Sequence, residues 1–573
     1  MADHRLVNYD IVFVNPAHHG PDYYAPIGIG MLATLARQNG YRATILDFQR
    51  EVTGGDMPWP AGFFEPAEVR IAATRAPVYG FTSMNVGMPW AIRLARLVRQ
   101  HHPEATIVFG GPHATLLGRE LLTTFPEIDI VALREGEDII VPLIEAVLSG
   151  DTQGLEKVPN LMFRRREGDF VETQQLPLKS NLDTLPLLEL DPKVIRNVDI
   201  MSVEAGRGCP YTCFFCSSHA IWSRTPRFKS AERLADEAAR YVEASGRDLI
   251  ISYEHDDFLA NRPVFRRFAE YKMQKQYDFK YCITARLNHI TDEVRDLLVS
   301  SRCVSVFMGI ETGSAELQAR SSKHLRLDPV VPRIGELLES GIHVSANFIV
   351  GFPGEEMADI CKSTDLMLAI ALAGATVNIS VMCPEPGSKL FDQTPACRHV
   401  VLADSTYVEE LEAGGISLDG LTDVERYHLT TIESDNFDIR EIGRFARSFQ
   451  FLLGEFPLSL YLFTNTIDQT INLVHSVLGY QRRIDRRITE STAFDFFAPA
   501  LAKSPEPRAL EYLLYETCLA SLQHSGGACA APTAFGRDMP GAYHNRLAEV
   551  RQIAAKSGLR RTSAPTVGAA DVG

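Results

Sequence analysis

At 573 residues, 45% of them apolar, the chain is too long for one hydrophobic core; at about 150 residues per domain it should form roughly three or four units. Its formal charge of −15 argues against a protein that grips nucleic acid by neutralising phosphates, because that footprint is a basic surface. No run of about 20 apolar residues spans a bilayer, since FQFLLGEFPLSLYLF is broken by Glu455 and Pro457, and the start MADHRLVNYDIVFVN lacks a signal-peptide pattern. The expected compartment is therefore the cytoplasm, where a tight cysteine group means metal or redox chemistry more often than disulfides.

Residues 1–150 alternate apolar runs (YDIVFVNP, YRATILDF, PVYGFTS, ATIVFGG, IDIVALREG) with helical patterns such as IGMLATLARQNG and PWAIRLARLVRQHH. This is the pattern of an α/β, doubly wound, Rossmann-like domain with a mostly parallel sheet. Ligands of such sheets bind beyond the carboxyl ends of the strands, where Asn15, Thr82 to Asn85, Gly110 to Thr115 and Glu135 to Asp138 fall. The turn GGPHAT lets a backbone approach a ligand closely, but no G-x-G-x-x-G follows the first strand, so a dinucleotide fingerprint is absent.

Residues 151–197, rich in charge and proline, read as a linker. Residues 198–401 then give six strand-like runs, DIMSVEAGRG, DLIISYEHDDF, FKYCITARLN, CVSVFMGIETG, HVSANFIVGFPG and TVNISVMCPEPG, with amphipathic helices between them. That predicts a complete or partial TIM-type β/α barrel with its chemistry at the strands' carboxyl ends. Residues 402–558, with IREIGRFARSFQFLL and SLYLFTNTIDQTINLVHSVLGY, are expected to be a mainly helical region on the substrate side, and 559–573 a disordered tail.

The chain has no cysteine before Cys209, then places Cys209, Cys213 and Cys216 in GRGCPYTCFFCSSH, directly after the first barrel strand. Three thiolates on one loop suit an iron–sulfur cluster better than structural zinc, which takes four ligands, usually as two separated pairs. A four-iron cluster held by three cysteines keeps one iron open to a ligand. The other seven cysteines are scattered singly and read as small buried hydrophobes.

The loop resembles the signature of the radical S-adenosylmethionine superfamily, C-x3-C-x-aromatic-C, with Phe215 as the aromatic. EHDDF (254–258), TARLN (284–288), GIETG (309–313) and GFPGE (351–355) end successive strands, and PEPGSKLF (384–391) follows the sixth. The resemblance implies a 4Fe-4S cluster on Cys209, Cys213 and Cys216. It also implies one S-adenosylmethionine held by Glu254 at its amino group, Arg286 at its carboxylate and Glu311 at its ribose or amino end. The amino-terminal module is similar to the cobalamin-binding domain found in one branch of that superfamily, through PIGIGMLATLARQNG, FGGPHAT and LREGEDIIVPLIEAV, the last with Arg134 in place of a glycine. On this likeness Thr82, Ser83, Met84, Asn85, Gly110, Gly111, Pro112, Glu135 and Gly136 are the cobalamin contacts. The resemblance covers roughly residues 8 to 395. NPAHHGPDYYAP does not match the D-x-H-x-x-G of many cobalamin domains, so His18 and His19 are not expected to ligate cobalt.

The activity this implies is a radical methyltransferase acting on an unactivated carbon of a small molecule such as a natural product or pigment. One S-adenosylmethionine methylates cobalamin; a second, cleaved by an electron from a flavodoxin- or ferredoxin-type donor, yields the radical that activates the substrate. A cyclase, ring-contracting or oxidising enzyme would need the same two cofactors. Methylthiotransferases draw a second cluster from three amino-terminal cysteines, which this chain lacks, and a cobalamin sensor or carrier would leave the cysteine triad without a purpose. No residue is assigned a catalytic acid–base role, and no partner beyond substrate and electron donor is implied.

Overall fold

The computed structural model describes residues 7–18, 26–150, 152–165, 168–190, 194–195, 198–394, 398–402 and 405–455. The tail expected at 559–573, the helical stretch expected beyond 455, His19, Cys397, Cys518 and Cys529 lie outside the described residues. The described residues divide into two compact units, one within Met1–Ala285, Asp292–Val304 and Cys383–Ile432, the other within Arg286–Thr291, Ser305–Met382 and Glu433–Gly573.

The first unit contains a seven-stranded sheet. Its parallel part runs in the order Ala43–Asp47, Ile11–Asn15, Val78–Thr82, Thr106–Gly110, Ile130–Ala132. IVFVN, buried at all five positions, shows why: a strand covered on both faces is a continuous apolar run rather than an alternating one. The direction of winding reverses between Ile11–Asn15 and Val78–Thr82, which opens a crevice at Asn15 and Thr82. Two antiparallel strands, Leu161–Arg164 and Phe170–Glu172, extend the far edge. They come from the stretch read as a linker, where the charges of RRREGD hide two short strands paired antiparallel.

One face of this sheet, bearing Phe81 and Phe109, packs on Trp90 and Phe63 and receives Leu411, Val424 and Leu429 from the stretch after the last barrel strand. Gly414 makes that docking possible, since a Cβ there would lie 2.2 Å from the Trp90 ring. The other face buries Phe13, Ile29, Ile140 and Ile144. The same unit holds the parallel strands Ile200–Glu204, Ile250–Glu254 and Lys280–Thr284, with Glu204 opposite Glu254 at the carboxyl ends. Helix Ala231–Ser245 links the first two, capped by the Ser230 hydroxyl and stopped by Gly246 at φ 64°.

In the second unit the strand ending at Glu311 (Cys303–Glu311), His343–Val350 and Thr376–Val381 are parallel neighbours, joined through helices Val330–Glu339 and Met357–Ala373. Helix Ile439–Glu455 covers the edge strand, where Gln450 Oε1 accepts from the Ile379 N–H at 2.7 Å. All six expected barrel strands are present.

Candidate active site and cofactor cavity

A cavity of about 970 Å³ opens at the crevice of the first unit, at the upper end of the range for small-molecule sites. Its inner part is an apolar slot between the sheet (Phe13, Gly80, Val108) and the helix Ile140–Ser149 (Ile140, Leu143). Gly80 keeps the slot flat, since a Cβ there would sit 3.1 Å from the Phe13 ring. At the rim Asn15 donates to Asp47 at 2.7 Å and the His18 N–H to Gln49 at 3.0 Å, so this edge is held rigidly. An apolar slot continuous with a wall that carries Glu204, Arg207 and Glu254 fits a large ligand with a planar base at one end, as cobalamin has.

Of the residues expected at cobalamin, Thr82, Met84, Gly110, Gly111, Pro112, Glu135 and Gly136 line this cavity, with Met84 53% exposed. Ser83 does not. Its hydroxyl donates to Gly110 O at 2.9 Å and accepts from the Ala114 N–H at 3.0 Å, so it ties two strand ends together beneath the wall. Gly111, at φ 97°, passes over it so closely that a Cβ would come within 3.2 Å of Ser83 O. Asn85 opens the short turn Asn85–Gly87.

The cysteine loop leaves the strand Ile200–Glu204 through Gly206 and Gly208, both on the cavity wall. Neither tolerates a side chain: a Cβ at Gly206 would lie 2.2 Å from Arg227 O, and Gly208 has φ 90°. Within the loop the Cys216 N–H donates to Cys213 O at 3.1 Å, and the Leu390 N–H, from PEPGSKLF, donates to Phe214 O at 2.9 Å. Cys209, Cys213 and Cys216 form no disulfide. Burial pushes the Cys209 thiol up to about 12, and the nearby Asp256, Asp257 and Cys216 add to the rise. A thiol held neutral by such surroundings becomes a thiolate only when a cation arrives, which suits an iron cluster. Among the described residues no three His, Cys, Asp or Glu side chains converge on one ion position; ligands of a four-iron cluster bind different irons and are not required to.

Just before the loop, Arg207 reaches three carboxylates: Glu135 at 2.8 Å, Glu137 at 2.5 Å and Glu204 at 2.7 Å. Arg227 also donates to Glu135, at 2.7 Å, and the Lys179 N–H completes that carboxylate at 2.6 Å. Burial alone would raise Glu135; the backbone N–H of Lys179 and the Arg207 and Arg227 guanidiniums outweigh it and hold the carboxyl below its usual range. The Glu135 carboxylate is thus committed to the protein, and the turn bearing it is locked to the cysteine loop. Glu254, on the same wall, accepts from the Ser202 hydroxyl at 3.0 Å.

Arg286 and Glu311 lie in the second unit. Pairing with His343–Val350 slips between Gly309 and Glu311, and this bulge puts Glu311 at φ 70°, aiming its carboxylate at Lys323 Nζ, 2.8 Å away. Gly309 makes room, since a Cβ there would lie 2.0 Å from Glu311 Oε1. Arg286 donates to the carbonyl of Lys323. Lys323 therefore draws the two expected residues together. In GFPGE, buried Glu355 accepts from the N–H groups of Gly351 at 2.5 Å and Phe352 at 3.1 Å, and burial raises its carboxyl to about 7.

Residues 18–144 match the family model for the B12 binding domain and residues 203–367 that for the radical SAM superfamily. The chain belongs to the cobalamin-dependent radical S-adenosylmethionine enzymes. Its cofactors are a 4Fe-4S cluster, S-adenosylmethionine and cobalamin. The enzyme is 24% identical over 373 residues to an uncharacterized methyltransferase of Pyrococcus horikoshii, covering 64% of this chain and 78% of that protein. It is 23% identical over 401 residues to the anaerobic magnesium-protoporphyrin IX monomethyl ester cyclase of Rubrivivax gelatinosus, covering 67% and 69%. The solved structure of the radical S-adenosylmethionine methyltransferase TsrM from Kitasatospora setae, with cobalamin and a [4Fe-4S] cluster bound, superposes with a TM-score of 0.60 at 17% identity over 77% of this chain and 90% of that one. At that identity the likeness is one of fold. No helix among the described residues is long and apolar enough to cross a membrane.

Sequence reasoning singled out neither Arg207 nor Lys323. Arg207 had a local signal, an arginine between the two glycines that precede Cys209. Lys323, in SSKHL, had none, because the bulge that brings Glu311 to it leaves no trace in the hydrophobic pattern.

Proposed function

We propose that the enzyme methylates an unactivated carbon of a small molecule, drawing both the methyl group and the radical from S-adenosylmethionine. The observation that carries this reading is the continuity of one wall: the cavity runs from the strand-end loops at Thr82 and Gly110 to Gly206–Gly208, next to Cys209, and on to Glu254. When bound, the cluster supplies an electron to S-adenosylmethionine and the corrin supplies a carrier for methyl groups.

Cys209, Cys213 and Cys216 hold the cluster. Glu254 accepts from the amino group of S-adenosylmethionine, and Arg286 pairs with its carboxylate, with Lys323 adding positive charge beside it. Glu311, engaged by Lys323, orients that cation. Thr82, Met84, Gly110, Gly111, Pro112 and Gly136 contact the corrin through small side chains and backbone, while the apolar slot shelters its nucleotide base from water. A flavodoxin- or ferredoxin-type protein delivers the electron.

A cyclase reading has support in the Rubrivivax gelatinosus relative. The two part without knowledge of the substrate. Reconstituted enzyme given reductant and S-adenosylmethionine alone should form S-adenosylhomocysteine only when cobalamin is bound, and 5′-deoxyadenosine only when the three cysteines are intact. Deoxyadenosine without any cobalamin-dependent S-adenosylhomocysteine would favour the cyclase.

A further inference from the structure

His255 stands between Glu254 and Asp256 at the carboxyl end of strand Ile250–Glu254, and it lines the cofactor cavity. Three contacts fix its ring. It stacks on Phe228 with centroids 4.1 Å apart and planes at 17°. Its Nδ1 accepts from the Asp257 N–H at 2.9 Å. Its Cδ2 edge meets the backbone at Gly206, where a Cβ would come within 2.9 Å.

Because Nδ1 accepts a hydrogen bond, the ring proton resides on Nε2. Nε2 is buried and has no hydrogen-bond partner among the described residues, and the residue is only 8% exposed. A buried donor without an acceptor is costly, and phenylalanine would stack on Phe228 without that cost. A ring clamped on one nitrogen, one edge and one face, with its remaining N–H unused, is a preorganised donor.

We propose that His255 is a cofactor-binding residue whose Nε2–H donates to an oxygen acceptor of the molecule held in this cavity. The acceptor chemistry is a carboxylate or amide oxygen: the carboxylate of S-adenosylmethionine or an amide at the corrin rim. Glu254 and Asp256 on either side offer only acceptors for a cation, so His255 gives this wall the donor that a ligand bearing both kinds of group requires. The inference rests on the cavity taking these cofactors and is independent of whether a methyl group is transferred.

The test measures two affinities in His255→Phe, which keeps the stack and removes the donor, and in His255→Gln, which restores a donor. Hydroxocobalamin binding is titrated by absorbance. S-adenosylmethionine binding is followed by the electron paramagnetic resonance of the reduced cluster in the cobalamin-loaded enzyme. His255→Phe should weaken one of the two about tenfold, as loss of one buried hydrogen bond does, with partial recovery in His255→Gln. Loss on the cobalamin side assigns the corrin amide; loss on the S-adenosylmethionine side assigns the carboxylate. Unchanged affinities in a folded His255→Phe, or equal loss of both with no recovery in His255→Gln, would overturn the proposal. If His255→Phe does not fold, wild-type protein with 15N-labelled histidine decides: the Nε2–H resonance should move on adding one cofactor, and no movement with either refutes the assignment.

Discussion

The two units each gather a group of charges, and the groups are held together differently. In the first, Glu135, Glu137 and Glu204 surround Arg207 and Arg227, so carboxylates outnumber guanidiniums beside the cysteine loop. In the second, Lys323 ties the group together: its ammonium meets the Glu311 carboxylate and its carbonyl accepts from Arg286. Charge buried away from water is stable only when matched, so removing one member of either group leaves its partners to bear that cost.

Replacing Cys209, Cys213 and Cys216 together by alanine should have the largest effect, removing the broad cluster absorption and all 5′-deoxyadenosine formation while hydroxocobalamin still titrates. Next comes Arg207→Met, which takes the guanidinium from part-buried Glu137 and Glu204 and leaves Glu135 to Arg227 and the Lys179 N–H. Breaking such a group costs about 3–5 kcal/mol, so denaturant melts should show the first unit failing early, with cobalamin and iron lost together. Arg207→Lys should recover only part of this, since an ammonium has no fork to span separate carboxylates. Lys323→Met separates the two regions: deoxyadenosine formation should disappear while hydroxocobalamin affinity stays at the wild-type value. If Lys323→Met weakened cobalamin as much as Arg207→Met does, the contrast between the units would fail.

The smallest effect is a pH dependence. Glu355 has its folded-state carboxyl raised from 4.5 to about 7 by burial, so between those values the folded protein keeps a proton that the unfolded chain has lost. Its contribution is therefore full below about pH 4.5 and disappears as pH rises through about 7, by an amount on the order of 3 kcal/mol at most. Thermal melts from pH 5 to pH 8 should slope down in the wild type and slope less in Glu355→Gln, which still accepts from Gly351 and Phe352.

Much of this architecture was legible in the sequence because it is written in local signals. Alternating strand and helix patterns gave the α/β class, and the spacing of Cys209, Cys213 and Cys216 pointed to a cluster. Glycine-rich strand ends marked the cavity, where Gly110 and Gly111 do line it. What escaped was long-range or lay in the direction a side chain takes. Ser83 sits in the expected loop, yet its hydroxyl is spent on Gly110 and Ala114. Glu135 lines the cavity as expected, but its carboxylate also answers Arg207, 72 positions away in the chain. The strands Leu161–Arg164 and Phe170–Glu172 were hidden because edge strands carry charge, and the meeting of Arg286, Lys323 and Glu311 depends on a bulge that no periodicity announces.

The central claim is that one cavity wall in one unit brings a corrin beside a cluster. The measurement that addresses it most directly is the spin relaxation of cob(II)alamin in the reconstituted enzyme, before and after the cluster is reduced. Two paramagnets on one wall must feel each other, so the cobalt signal should relax faster once the cluster is reduced, and this acceleration should vanish in the triple cysteine variant. Cobalt relaxation that ignores the state of the cluster would contradict the account.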